Sequence, residues 1–205
     1  MSLSFSQKNR LIEKNRLEYS EAYDSLRFIT KNETETAVRE RDEILSALRG
    51  RAVFCCRDTK VDGRNLSRGC EICTQGKWSC LFVNGRCNCR CFYCPTGQDL
   101  TGVPTTNTVP FPKVGDYVDY IRKLGFTGVS FSGGEPLLTL DTTLEYLRAV
   151  KDAFGGNVYT WLYTNGTLAT RDTLMQLKTA GLDEIRFDIG ATGLNLDAAR
   201  QAADI

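Results

Sequence analysis

The sequence predicts an α/β protein, a partial (βα) barrel of parallel strands with about four βα units, which follows an N-terminal helical extension. From Leu81 onward, short apolar runs alternate with stretches that carry apolar residues at helical spacing. Before residue 50 the helical spacing is present without such runs. Parallel strands need a long crossover connection, and a helix provides it, so repeated βα units imply a parallel sheet.

Three regions follow from this pattern. We expect a helical extension over residues 1–50, a Cys-rich connector over 51–80 and the partial barrel over 81–205. An eight-unit barrel uses roughly 30 residues per unit, so the last region holds about four units. Four parallel strands do not close a barrel. We therefore expect the sequence to be truncated at its C-terminus, with a chain that continues in nature.

The extension is predicted to contain two helices, over residues 5–29 and Glu33–Arg49, the second of which ends at Gly50. Their charged residues are typical of a solvated face. The connector loses helical periodicity and holds five cysteines among glycines and polar residues.

The barrel region alternates strands and helices in chain order. The predicted strands are LFVNG (81–85), GVSFSGG (128–134), VYTWLYTNG (158–166) and EIRFDIG (184–190). The predicted helices are VGDYVDYIRKLG (114–125), DTTLEYLRAVKDAFGG (141–156), TRDTLMQLKTAG (170–181) and one that opens within NLDAARQAADI (195–205). Asp141 and Thr170 are the expected N-caps, and Gly125 and Gly181 are the expected C-terminal stops.

Composition excludes several functional classes. Hydrophobic residues make up 41% of the chain, which is ordinary for a globular protein with a buried core. Lys plus Arg number 26 and Asp plus Glu 25, so no strong field favours a nucleic acid or an anionic membrane as a partner. No apolar run approaches the ~20 residues of a membrane span, and the charged N-terminus does not match a signal peptide. We expect a cytoplasmic protein.

The nine cysteines are the most informative part of the composition. Their number is odd and no export signal precedes them, so reduced thiols are expected rather than a disulfide framework. Histidine is absent, which excludes His-ligated zinc catalysis, Ser-His-Asp triads and Cys-His pairs. Any bound metal is therefore held mainly by thiolates.

Three metal templates compete for the segment CNCRCFYCP, residues 87–95. The zinc spacing C-x₂-C-x₁₅₋₂₀-C-x₂-C is matched when this segment is joined to an upstream pair. A bacterial ferredoxin run fails because its spacings come in a different order. The third template is C-x₃-C-x₂-C, whose three ligands leave one iron of a four-iron cluster open, as a catalytic metal site requires. The zinc template uses Cys70, Cys73, Cys91 and Cys94, and the third uses Cys87, Cys91 and Cys94.

The C-x₃-C-x₂-C segment, on the loop after the first predicted strand, resembles the signature of the radical SAM superfamily. Tyr93, the aromatic residue before the last cysteine, also matches. Cys89 is an extra cysteine at a position that the signature leaves variable, and we expect it to point away and stay unliganded. The resemblance covers residues 81–190 and implies a [4Fe–4S] cluster. The implied cluster ligands are Cys87, Cys91 and Cys94.

Three further motifs agree, each at the end of a predicted strand, where parallel α/β folds gather ligand sites. SGGEP (132–136) resembles the segment that holds the methionyl end of S-adenosyl-L-methionine, because paired glycines admit a ligand and a carboxylate can pair with its ammonium group. YTNG (163–166) and FDIG (187–190) fall where relatives contact the cofactor or carry an acidic residue. The implied cofactor-binding residues are Tyr93, Ser132, Gly133, Gly134, Glu135, Thr164, Asn165 and Asp188.

The resemblance also implies a reaction. A one-electron donor such as a flavodoxin or ferredoxin reduces the cluster, S-adenosyl-L-methionine is cleaved, and a 5′-deoxyadenosyl radical takes a hydrogen atom from a small-molecule or peptide substrate. Such chemistry needs geometry and the exclusion of water rather than histidine. We expect an oxygen-sensitive enzyme of unknown reaction outcome and assign no catalytic acid or base.

Other interpretations of the cysteines stay open. A non-catalytic zinc-ribbon interaction module would use the four cysteines of the zinc template and give SGGEP no role. A thiol redox protein would need a low-pKa cysteine at a helix N-terminus. Separately, Cys70, Cys73 and Cys80 form a candidate second site for zinc or an auxiliary iron–sulfur cluster, with free thiols as the competing interpretation.

Overall fold

The computed structural model describes residues 4–55, 60–63, 65–91, 93–94, 99–100 and 102–205. The chain forms two compact units, Met1–Asn65 and Leu66–Ile205. The boundary lies inside the segment that the sequence indicates as a connector, so the later part of that segment belongs to the same unit as the barrel. Within the described ranges, no helix is both long enough and apolar enough to span a membrane.

The first unit consists of helices and one hairpin. Its elements are α1 (Phe5–Tyr19), α2 (Glu21–Asp24), α3 (Lys31–Leu48) and the antiparallel strands β1 (Val53–Cys55) and β2 (Lys60–Asp62). Capping boxes at Ser4 and Thr30 start α1 and α3, because each hydroxyl accepts a backbone N–H from the first turn. The helical stretch predicted over 5–29 is interrupted at Ser20, whose φ is 48°. Cys56, one of the connector cysteines, lies outside the described residues.

The second unit contains the remaining described elements. Its helices are α4 (Arg68–Thr74), α5 (Val114–Leu124), α6 (Leu140–Phe154), α7 (Arg171–Thr179) and α8 (Asp197–Ala203). Its strands are β3 (Trp78–Arg86), β4 (Asp99–Leu100), β5 (Thr105–Thr106), β6 (Val109–Pro110), β7 (Gly128–Gly133), β8 (Tyr159–Thr164) and β9 (Glu184–Phe187). Short 3₁₀ helices occupy Pro136–Thr139, Gly155–Asn157 and Ile189–Thr192.

Four strands, β3, β7, β8 and β9, pair in parallel in that order and confirm the predicted α/β fold. The register aligns Phe82 with Ser132 and Phe131 with Leu162. β3 begins at Trp78, earlier than the predicted strand, because its first residues alternate in burial like the rest. The short strands β4 to β6 add antiparallel pairs that the sequence did not indicate, since two-residue strands carry no periodic signal. The sheet is mostly parallel, as in a partial barrel.

One face of this sheet packs against α5, α6 and α7. Leu81, Val129, Phe131 and Leu162 are fully buried in a single apolar core with residues of those three helices. Successive side chains of a strand point to opposite faces, so the residues next to these four point to the other face of the sheet. Helices α5, α6 and α7 therefore all pack on the same face of the sheet.

The predicted helix ends can be compared with the structure directly. Thr170 is the N-cap of α7, and Gly125 ends α5 in the left-handed conformation with a φ of 63°, as expected. The predicted N-cap Asp141 is wrong, because Thr139 occupies the N-cap position of α6 and Asp141 lies in its first turn. The 3₁₀ helix Pro136–Thr139 leads directly into α6, and the N-cap therefore lies two residues earlier than predicted.

The opposite face of the sheet is covered near its start by α4. Ile72 of this helix is 3% exposed and lies against Gly128, and Gly69 of the same helix lies against Trp161. A methyl group on Gly128 would lie 2.7 Å from the Ile72 Cγ2 atom, so the glycine makes room for the helix. Helix α4 thus covers the face of the sheet opposite the apolar core, near the N-terminal ends of the strands.

A polar contact fixes the start of α4 against β9. The Ser67 hydroxyl and the Gly69 N–H donate to the two carboxylate oxygens of Glu184, at 2.9 and 3.2 Å. Arg186 donates to the same carboxylate and to the Ser67 oxygen. These bonds join residues far apart in sequence, which explains why a seven-residue helix is stable here.

We expect Ile72→Ala to destabilise the second unit by about 2–4 kcal/mol, because it leaves a cavity between α4 and the sheet. Both tryptophans, Trp78 and Trp161, lie in this unit, so urea unfolding followed by tryptophan fluorescence reports on it alone. Leu124→Ala, at a position that is 50% exposed, is the matched control and should cost less than about 1 kcal/mol. Equal losses for the two variants would contradict the packing of α4.

Candidate functional site

A cavity of about 290 Å³ lies at the C-terminal ends of β7, β8 and β9, beside the loop that follows β3. This volume is near the lower end of the range for small-molecule sites, about 300–1,000 Å³. Ligands of parallel α/β folds bind beyond the carboxyl ends of the strands, which is where this cavity lies. Its wall consists of Cys87, Cys89, Cys91, Tyr93, Cys94, Ser132, Gly133, Gly134, Glu135, Tyr163, Thr164, Asn165, Asp188 and Ala191.

Every residue predicted to bind the cluster or the cofactor lies on this wall. The predicted cluster ligands come from the loop after β3, and the predicted cofactor residues come from that loop and from the ends of β7, β8 and β9. The structure therefore brings four separate motifs to one place. Their common location is a structural observation, while their roles as ligands remain predictions.

Three wall residues were not among the predicted binding residues: Cys89, Ala191 and Tyr163, although Tyr163 is the first residue of the predicted motif YTNG. The expectation that Cys89 points away is wrong, because this residue lines the cavity and its thiol interacts electrostatically with Cys87 and Cys91. A loop without regular structure has no alternation of side chains, so spacing could not give this direction. Tyr163 had an available signal, its position beside Thr164 at the end of a strand, whereas Ala191 had none.

The paired glycines of SGGEP are required by contact with β3. A methyl group on Gly133, whose φ is 124°, would lie 2.3 Å from the Asn84 carbonyl oxygen. One on Gly134 would lie 1.8 Å from the Arg86 carbonyl oxygen. The Gly134 and Glu135 N–H groups donate to these same carbonyls, at 2.8 and 2.6 Å. The turn therefore packs directly against the backbone that leads into the cysteine loop. This contact requires glycine at both positions whether or not a ligand binds.

Glu135 links the ends of two neighbouring strands. Its side chain is 1% exposed and accepts from the Thr164 hydroxyl and the Asn165 N–H, each at 2.8 Å, and from the Leu137 N–H at 3.0 Å. Burial raises the pKa of this carboxyl group, and the three hydrogen bonds act in the opposite direction. A carboxylate has about four acceptor positions, so one is left for the predicted contact with an ammonium group.

Asn84 is a positioning residue that the sequence analysis missed. It is 6% exposed at the end of β3, and its amide nitrogen donates to the Glu135 carbonyl at 3.1 Å and to the Thr139 hydroxyl at 2.6 Å. Its amide oxygen accepts from the Arg86 N–H at 2.8 Å. A polar residue at the end of the apolar run LFVNG was the available signal, because a buried amide needs hydrogen-bond partners.

Asp188 has two partners at the end of β9. The Tyr93 hydroxyl donates to both of its carboxylate oxygens at 3.1 Å, and the Gly190 N–H donates to one of them at 3.2 Å. The carboxylate therefore caps the 3₁₀ helix Ile189–Thr192 and also holds the cysteine loop through Tyr93. Hydrogen bonding to Cys91, burial and the bond to Asp188 all raise the pKa of Tyr93.

The ionisable side chains on the cavity wall can carry only negative charge. Among its described residues are two carboxyl groups, Glu135 and Asp188, and no Lys or Arg. Burial raises the pKa of the Cys89 thiol, and the neighbouring Cys87, Cys91 and the two carboxylates raise it further. Groups that ionise only to anions suit a cationic ligand and disfavour an anionic one.

No group of three or more Cys, Asp or Glu side chains in the described part of the chain is arranged as a metal site. The loop cysteines share one wall without forming such a group. Cys70 and Cys73 on α4 and Cys80 on β3 do not form one either, although burial and the nearby Cys73 both raise the pKa of the Cys80 thiol. A second metal site therefore stays a prediction.

The fold and the site together define a class of protein: an α/β domain with a mostly parallel sheet, consistent with a partial (βα) barrel, whose strand ends lie beside a loop of thiols. A model of the Radical SAM superfamily matches residues 81–197. The chain belongs to this superfamily, whose members use an iron–sulfur cluster and S-adenosyl-L-methionine.

Curated proteins illustrate the similarity. The chain is 33% identical over 124 residues to the "Putative glycyl-radical enzyme activating enzyme" of Methanocaldococcus jannaschii, which covers 60% of this chain and 33% of that protein. It is 35% identical over 112 residues to a GTP 3′,8-cyclase of Corynebacterium glutamicum, covering 53% of this chain and 29% of that protein. A GTP 3′,8-cyclase of Lactiplantibacillus plantarum is 31% identical over 109 residues, covering 53% and 32%. The chain thus spans about a third of the length of these relatives.

We expect Gly134→Ala to destabilise the second unit by at least about 2 kcal/mol, because the new methyl group overlaps the Arg86 carbonyl. Gly115→Ala in α5 is the matched control. Its methyl group would have no neighbour within 4 Å, and alanine favours a helix, so its stability should equal or exceed that of the wild type. Thermal unfolding followed by tryptophan fluorescence compares the two. A wild-type melting temperature for Gly134→Ala would show that the turn is not seated on β3.

Proposed function

We propose that this protein is a radical SAM enzyme in which the loop after β3 holds a [4Fe–4S] cluster and the turn Ser132–Glu135 receives S-adenosyl-L-methionine. The proposed cluster ligands are Cys87, Cys91 and Cys94. When bound, the two cofactors supply a 5′-deoxyadenosyl radical that takes a hydrogen atom from the substrate.

One observation carries this proposal: the cysteines of the C-x₃-C-x₂-C segment share a single cavity wall with the SGGEP turn and Asp188. The donor set suits the cluster, because thiolates are its usual ligands and three of them leave one iron open. The charge also suits the cofactor, since S-adenosyl-L-methionine carries a sulfonium and an ammonium group and the wall carries carboxylates.

Tyr163 gives the wall a rigid aromatic part. Arg186 donates to its hydroxyl at 2.7 Å, and the guanidinium carbon lies 5.2 Å from the ring centre. Arg186 also donates to Glu184 and Ser67, and these bonds fix the guanidinium group that contacts the Tyr163 ring. We infer that this ring limits the access of water to one side of a radical site.

We propose the substrate and the electron donor by chemical class. The names of the similar proteins indicate different reactions, so we propose only hydrogen-atom abstraction from a small molecule or a peptide. A flavodoxin or ferredoxin is the kind of partner that supplies single electrons to such a cluster. We propose a cytoplasmic, oxygen-sensitive enzyme, because an open iron requires a reducing compartment.

The zinc-ribbon alternative needs four sulfur atoms at one place. Cys91 and Cys94 line the cavity, whereas Cys70 and Cys73 belong to α4 and are not part of its wall. Helix α4 packs on Gly128 at the start of β7, and the cavity lies beyond the end of the same strand. The geometry therefore favours the C-x₃-C-x₂-C set over the zinc set.

Cysteine substitutions test the ligand assignment. We expect Cys87→Ala, Cys91→Ala and Cys94→Ala each to lose most of the bound iron and sulfide, because two thiolates do not hold a four-iron cluster. Protein purified without oxygen is analysed for iron, sulfide and broad visible absorption.

Cys89→Ala is the matched control from the same loop and should keep wild-type iron, since Cys89 completes no ligand set. A protein that carries one zinc ion and no iron, with zinc lost on Cys70→Ala, would support the zinc module instead. Loss of iron from Cys89→Ala with retention in Cys87→Ala would contradict the assigned set.

A further inference from the structure

The side chain of Asn165 joins the end of β8 to the cysteine loop. Its amide nitrogen donates to the Asn88 side-chain oxygen at 2.8 Å and lies 3.8 Å from the Cys87 Sγ atom, within hydrogen-bond distance for sulfur. Its amide oxygen accepts from the Thr167 N–H at 2.9 Å and from the Thr167 hydroxyl at 2.7 Å. Asn88 also donates to that hydroxyl, at 2.7 Å, which closes the network.

This network fixes which way the amide group points. A backbone N–H can only donate, so the atom of Asn165 that meets the Thr167 N–H must be the oxygen. The NH₂ group is then the end that faces Asn88 and Cys87. Asn165 is 8% exposed, so these contacts are largely shielded from water. The N–H donor toward the Cys87 sulfur is therefore set by the fold.

The same contacts leave the Asn165 side chain no group for a cofactor. An amide has two donors and two acceptor positions. The donors face Asn88 and Cys87, and both acceptor positions are taken by Thr167. The Asn165 backbone N–H is bound to Glu135. The structure thus indicates that the Asn165 side chain binds the cysteine loop, whereas the sequence predicts that it binds the cofactor.

We propose that Asn165 is a positioning residue that holds the Cys87 segment against β8 and, through its N–H···S contact, raises the reduction potential of the cluster. This inference rests on the proposed function, because it takes Cys87 as a cluster ligand. A hydrogen bond to a ligand sulfur stabilises the more negative, reduced state of a cluster. The Cys89 backbone N–H, 3.4 Å from the same sulfur, is a second donor.

The test compares three variants of the cluster-loaded protein. Midpoint potentials are measured by redox titration followed by electron paramagnetic resonance. Hydrogen exchange of peptides that cover residues 86–91 reports how firmly the loop is held. Iron and sulfide content and the melting temperature are measured on the same samples. The variants are Asn165→Ala, Asn88→Ala and Thr167→Val.

We expect Asn165→Ala to shift the midpoint potential to a more negative value and to speed exchange in the loop. Asn88→Ala removes the bridge between the two amides but keeps the N–H···S donor, so its exchange should rise while its potential stays near that of the wild type. Thr167→Val removes one of the bonds that orient Asn165 and should give a smaller shift in the same direction as Asn165→Ala. This last variant keeps the test decisive if Asn165→Ala loads too little cluster for titration.

The outcomes separate this inference from the proposed function. A wild-type protein without iron would refute the proposed function. A wild-type protein with a cluster, and Asn165→Ala and Thr167→Val variants that match it in potential and in exchange, would overturn the role of Asn165 alone. Loss of cluster from Asn165→Ala at an unchanged melting temperature would support the holding role. An equal potential shift in Asn88→Ala would contradict the direct contact with sulfur.

Discussion

The seating of the Gly133–Gly134 turn on the end of β3 is the contact on which the site depends. Each glycine stands where a methyl group would overlap a β3 carbonyl, and the two N–H groups after the strand bind those carbonyls. The carbonyls belong to Asn84 and Arg86, directly before the cysteine loop. The position of the thiols is therefore set by backbone contacts between neighbouring strands, before any ligand binds.

Polar side chains extend this contact across the sheet, and two of the three, Glu135 and Asn165, are buried while Asp188 is exposed. Glu135 reaches from β7 to the end of β8, Asn165 from β8 back to the cysteine loop, and Asp188 from β9 to Tyr93 in that loop. A buried polar group is costly unless its hydrogen bonds are made, and here nearly all of them are made within the protein. Such a network holds a binding site in shape at the cost of some stability. The loop is thereby tied to three strand ends.

The sequence predicts the repeated features and misses those that depend on tertiary contact. Four parallel strands follow from apolar runs separated by helices, and the site follows from motifs placed at the ends of those runs. The packing of α4 does not follow, since its seven residues are too few for a periodic signal and its stability comes from Glu184, distant in sequence. The direction of Cys89 and the engagement of Asn165 also depend on partners that only the folded chain brings near.

The central claim is that three loop thiolates hold a four-iron cluster with one iron open to S-adenosyl-L-methionine. The most direct measurement is the electron paramagnetic resonance spectrum of the dithionite-reduced protein before and after this cofactor is added. We predict a [4Fe–4S] signal that changes on addition, because the ligand binds to the open iron. A protein without iron, or a cluster signal that stays the same with saturating cofactor, would contradict the claim.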